Sequence, residues 1–81
     1  MESELTLADL QKGKMAIIKG ISENCKEDMR QRLLDLGFVK KVEVTIQSVS
    51  PLNNPIAYNI HNTLISLRKE DASNILIEIK E

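Results

Sequence analysis

The chain has 81 residues, 42% of them hydrophobic, a formal net charge of −1 and only two aromatic residues, Phe38 and Tyr58. A chain this long buries roughly two-thirds of its unfolded surface and supports one core, so residues 1–81 are read as a single domain with 1–4 frayed. The scarcity of aromatic platforms and the lack of a basic surplus argue against nucleic acid as a partner, and the single cysteine excludes an internal disulfide or a multi-cysteine metal site.

One cysteine also fits a reducing cytoplasm. No apolar run approaches the roughly 20 residues of a membrane helix, and MESELTLADL has no basic region followed by an apolar one. The expectation is a cytoplasmic protein that does not itself insert into a membrane.

In TLADLQKG, Thr6 can cap a short turn that buries Leu7 and Leu10 as a lid over one end of the fold, and Gly13 then reverses the chain. Lys14–Ile21 carries Met15, Ile17 and Ile18 in a strand-length run, with Gly20 permitting a bulge or bend. Asn24–Val39 is the long helical signal. Asn24 followed by Glu27 has the form of a capping box and sets the expected start. Cys25, Met29, Leu33 and Leu36 share one stripe at the helical period, opposite Asp28, Gln31 and Asp35. Gly37 can adopt the left-handed conformation that closes the last turn, which folds Phe38 back onto Leu33. Leu34 lies off the apolar stripe. It is either covered by another segment, the Pro51–Pro55 turn or the N-terminal turn, or free for a partner.

Past the helix, Val42, Val44 and Ile46 alternate with Glu43, Thr45 and Gln47 at the period of a half-buried strand. Pro51–Pro55 (PLNNP) is dense in turn formers, and Ile56, Tyr58 and Ile60 resume the alternation. His61-Asn62 marks a second reversal, Thr63–Arg68 a further strand, and Lys69–Asn74 a polar connector of one helical turn. Ile75, Ile77 and Ile79 end the chain in a last strand. About five short strands with one helix inserted after the first predict a mainly β fold, a small antiparallel barrel.

The three segments Arg32–Phe38 (RLLDLGF), Asn54–Tyr58 (NPIAY) and Leu67–Ala72 (LRKEDA), in this order and spacing, resemble the FeoA family of ferrous iron transport proteins. The resemblance covers nearly the whole chain. It implies an SH3-like barrel with a helix after the first strand, a domain also found at the C-terminus of iron-dependent repressors. It further implies an accessory protein, not an enzyme, that binds and regulates FeoB, a membrane transporter with a cytoplasmic GTP-binding domain, and is recruited through it to the inner membrane face. Three positions depart from the family pattern: Lys41 and Asn62 replace glycines, and Asn54 replaces an aspartate before the proline. Lys41 is expected to relax its turn if that glycine needs positive φ.

Catalysis would need a base and a nucleophile or metal in mutual reach, and the chain offers one histidine and one cysteine in different segments. Cys25 reads as a buried, inert thiol at the start of the helix. No cofactor is firmly implied. His61, with Glu70 and Asp71, is the weak candidate set for Fe(II) or another transition metal, and His61 alone reads more simply as a solvated hairpin residue. Arg30, Leu34, Lys40 and Lys41 are the candidate partner-binding residues, in a locally basic end that includes Arg32 and suits an acidic protein surface. The second reading is a stand-alone metal-responsive regulatory domain that reports to another protein; without a helix-turn-helix it could not read DNA itself.

Overall fold

The computed structural model describes residues 5–52 and 54–80. The expected fraying of residues 1–4 falls outside them. Among the described residues six strands form one antiparallel sheet: β1 (Leu5–Thr6), β2 (Met15–Ile21), β3 (Glu43–Val49), β4 (Ile56–Ile60), β5 (Thr63–Leu67) and β6 (Ile75–Lys80). Their spatial order is β1-β6-β2-β3-β4-β5. Helix α1 (Glu27–Leu36) joins β2 to β3, and the four-residue α2 (Lys69–Ala72) joins β5 to β6.

The sheet is curled. In a flat sheet β4 would lie four strand spacings, about 19 Å, from β1. The Tyr58 hydroxyl on β4 nevertheless donates to the carbonyl of Leu7, the residue after β1, at 3.3 Å. The layers therefore wrap into an SH3-like barrel, left open between β1 and β5, which are the two edges of the sheet. The predicted fold class holds with one strand more than expected: Leu5–Thr6 pairs with Ile77 and Leu76, and two residues are too few to show any period.

The period-two signal and the register agree. Ala16, Val44 and Ile60 lie opposite one another across β2, β3 and β4, as do Ile46 and Tyr58 across β3 and β4. All belong to one buried aliphatic cluster in which Phe38 and Tyr58 are both fully enclosed. Register shifts between Ile18 and Gly20 and between Ile46 and Ser48 supply the bends a small barrel needs. At the end near Tyr58, a single 3₁₀ turn (Leu7–Asp9) buries Leu7 and Leu10, with the Asp9 carboxylate accepting the Thr6 backbone N–H at 2.9 Å. The neighbouring α2 buries Ala72. Asn54 fills the role of a cap here: its side-chain oxygen accepts the Lys69 N–H at 3.0 Å, satisfying a first-turn donor of α2 from another segment. The His61-Asn62 turn has φ of 54° and 62°, the double left-handed geometry of a tight two-residue hairpin.

Helix α1 ends as its sequence implies. Gly37 has φ 109°, its N–H reaches the Leu34 carbonyl at 3.0 Å, and the Phe38 N–H reaches the Leu33 carbonyl at 3.1 Å. Those are the two bonds of a Schellman motif, and both Leu33 and Phe38 are fully buried. The helix start differs from expectation. Its N-cap is Lys26, with no side-chain cap bond, not Asn24. Ser22 takes control of the preceding loop instead: its N–H is fixed to the Asn74 carbonyl at 2.7 Å, its Oγ accepts the Asn24 N–H and its carbonyl accepts the Cys25 N–H. Cys25 is buried as predicted, but it sits before the helix, not in its first turn.

Lys41 gives the second correction. The turn is not relaxed; Lys41 itself takes φ 74°. Its N–H bonds to the Ile18 carbonyl at 2.8 Å, the Ile18 N–H bonds to the Val42 carbonyl at 3.0 Å, and the Val42 N–H closes on Val39 at 3.4 Å. A left-handed residue at the third position of Val39–Val42 is the type II pattern, and the flanking strand bonds hold it there. A left-handed L-residue costs about 1–2 kcal/mol, and glycine returns about 0.5–1 of that through unfolded-chain entropy. Lys41→Gly should accordingly raise stability by up to about 1.5 kcal/mol, read as a higher midpoint in thermal unfolding.

Candidate protein-docking surface

Arg30 and Leu34 are one helical turn apart on α1, so they stand on the same ridge. Arg30 is half-buried and its Nη2 donates to the Ser22 carbonyl at 3.0 Å, which ties the guanidinium to the loop before the helix. Leu34 remains 37% exposed, and Val39, two residues beyond the helix-closing glycine, is 39% exposed. Leu34 is therefore partly covered and partly open to solvent. Val39 is a surface residue that the sequence did not single out, because it follows the helix and falls in no period.

Lys40 and Lys41 diverge. Lys40 joins Arg30 in a groove of about 570 Å³, which Lys19, Gly20 and Ile21 of β2 also line with Ser22, Glu23, Asn24 and Leu76. Lys41 faces a separate depression with Val42, Glu43, His61 and Asn62. Lys19 was missed, since its place beside Arg30 depends on three segments meeting. The sole ion pair among the described residues joins Lys80 to Glu43, so Arg30, Lys40 and Lys41 have no carboxylate partner among them.

The metal candidates do not converge. His61 stands in the turn before β5 and Glu70 and Asp71 lie beyond its far end, so about 16 Å of extended strand separates them. The carboxylate nearest His61 in its depression is Glu43, which is engaged by Lys80, and Lys41 adds a positive charge there. Among the described residues no three His, Cys, Asp or Glu side chains gather at one point. These residues do not fit a multidentate metal centre within this part of the chain.

The FeoA domain profile matches residues 5–79. The chain belongs to the FeoA domain family. A relative from Porphyromonas gingivalis, an Fe(2+) transport protein A/Fe(2+) transporter FeoB fusion protein, is 33% identical over 75 residues, spanning 93% of this FeoA chain and 9% of the relative's length. Among solved structures, iron(II) transport protein A from Clostridium thermocellum is 35% identical with a TM-score of 0.84, over 93% of this chain and 45% of that one. FeoA from Stenotrophomonas maltophilia, solved in complex with zinc and described as an SH3 domain protein, is 26% identical with a TM-score of 0.80, over 91% and 89% of the two chains. Among the described residues of this FeoA chain no helix is long and apolar enough to cross a membrane.

Proposed function

We propose that this FeoA chain is a non-catalytic accessory module of ferrous iron transport that docks on the cytoplasmic region of a FeoB-like transporter and regulates it. The observation that carries the reading is the fused relative, in which an FeoA unit and FeoB share one polypeptide. Covalent linkage raises the effective concentration of two parts that act together. The surface that suits the role is the Arg30–Leu34 ridge with Val39 and Lys40 beyond the helix end: two partly exposed aliphatic side chains, with Arg30 and Lys40 lacking an acidic partner among the described residues. Regulation requires unequal affinity for two states of the transporter, because a module that binds both equally shifts nothing.

Leu34→Asp tests the surface. Leu34 is 37% exposed, so the substitution gives up part of its burial as well as helix propensity and places a negative charge near the helix C-terminus, about 2–3 kcal/mol in all and within the stability of a domain this size. A central contact of a protein interface is worth about 2 kcal/mol or more, a roughly thirty-fold change in Kd. Calorimetric titration with the cytoplasmic region of the cognate transporter should show that loss while the variant remains folded by circular dichroism. Equal affinity for the two proteins would remove Leu34 from the interface.

A further inference from the structure

The groove beside α1 has a more specific chemistry than a basic rim. Its three cations come from three separate elements: Lys19 from β2, Arg30 from α1 and Lys40 from the turn before β3. Glu23 is the one acidic residue lining it. Its positive charge is thus local, in a chain whose formal net charge is −1.

Two of the three cations are positioned by the backbone. The bond from Arg30 to the Ser22 carbonyl fixes one edge of the guanidinium and leaves the other donors of its planar fork for a ligand. Lys40 rests its stem over Gly20: a Cβ built on that glycine would lie 3.5 Å from Lys40 Cε.

The floor of the groove is an unpaired strand end. Strand β2 continues to Ile21 against β6, through Gly20↔Leu76 and Ile21↔Ile75. On its other side the pairing with β3 stops at Ile17↔Glu43, and the last bonds are those between Ile18 and Lys41–Val42. Lys19–Ile21 therefore have a strand on one side and the groove on the other. An extended segment laid along such an end gains backbone bonds as an added strand, and its alternate side chains then face the surrounding walls.

We propose that this groove binds an extended acidic segment of a partner protein, with carboxylates held by Lys19, Arg30 and Lys40. The inference rests on the docking reading above and names the chemistry of what docks. Charge complementarity selects the anion. A nucleotide would lack a stacking platform, because both aromatic rings of the chain, Phe38 and Tyr58, are fully buried. A metal cation would be repelled by the same three side chains.

The test uses the whole ¹⁵N-labelled chain and three probes: a capped hexapeptide alternating glutamate and valine, its lysine-valine counterpart, and inorganic phosphate. The glutamate peptide should shift the amides of Lys19, Gly20, Ile21, Arg30 and Lys40, with affinity falling as salt is raised. Lys19→Gln, at an exposed position that leaves the fold unchanged, should weaken it about tenfold, as should Arg30→Gln. Silence toward the glutamate peptide, equal response to the lysine peptide, or saturation by phosphate with no response to the peptide would each overturn the proposal. Titration with the transporter's cytoplasmic region separates the two ideas. Shifts at Leu34 and Val39 without shifts in the groove would keep docking and reject the acidic segment, and no shifts anywhere would reject both.

Discussion

Phe38→Ala is expected to destabilise the chain by about 3–5 kcal/mol, a large part of its total stability. Phe38 is fully buried, and its N–H is the bond that closes α1 on the Leu33 carbonyl, so the ring and the helix end are placed together. Nothing else in the sequence replaces its bulk, since the surrounding core is aliphatic and the one other aromatic, Tyr58, is bound to Leu7 across the barrel. At about 0.05–0.15 kcal/mol per residue, the total stability of such a domain is about 4–12 kcal/mol, so the loss is of the same order as the whole. Phe38→Leu keeps most of the volume and should cost about 1.5 kcal/mol or less. Urea unfolding of the two variants checks the account, and a drop below about 1 kcal/mol for the alanine variant would show that the helix end is not held by this ring.

The second large effect is a dependence of stability on alkaline pH. Burial pushes the Tyr58 phenol up from 10.0 to about 12. The folded state then holds the proton more tightly than the unfolded state. The stabilisation is complete below pH 10, falls as pH rises toward 12 and is gone above it, a total of about 3 kcal/mol for a shift of this size. Tyr58→Phe removes the titration. It also leaves the Leu7 carbonyl without its hydroxyl donor, at a cost of about 1 kcal/mol that is independent of pH over this range. Urea midpoints measured from pH 8 to 11.5 should fall more steeply for the native chain than for Tyr58→Phe. Parallel curves would contradict the assignment.

The parts of the fold that were legible in the sequence are those fixed by neighbours along the chain. Gly37 next to Phe38 specified both the left-handed closure and the residue folded back by it, and the alternation of Ile56, Tyr58 and Ile60 specified which face is buried. His61-Asn62 announced its turn because both residues tolerate positive φ better than most. What was not legible depends on distant partners. Asn24 is not the cap because the loop it stands in is shaped by Ser22, which is pinned to Asn74 and accepts the Asn24 and Cys25 N–H groups, and the helix begins only at Glu27. Lys41 could not be recognised as left-handed, since the force that holds it there is a pair of strand bonds with Ile18 and not a local preference.

The candidate site divides in the same way. Leu34 was visible as a break in the helical stripe, but whether another segment covers it depends on distant packing, and the structure leaves it 37% exposed. Arg30 and Lys40 share a groove, whereas Lys41, their neighbour in the sequence-based set, lines a separate depression with His61. Lys19 carried no signal, because a lysine on a strand is ordinarily a solvated residue and its place beside Arg30 and Lys40 depends on three segments meeting. His61, Glu70 and Asp71 were grouped by chemistry, and the length of β5 separates them.

The most direct test of the docking account is an amide-resolved NMR titration of the labelled chain with the cytoplasmic region of the cognate transporter, beside an anaerobic titration with ferrous iron alone. The account predicts shifts clustered at Arg30, Leu34, Val39 and Lys40 with the protein partner, and no localised broadening by iron. No response to the partner, together with iron-induced broadening confined to His61 or to Glu70 and Asp71, would contradict it and make the chain a metal-responsive domain.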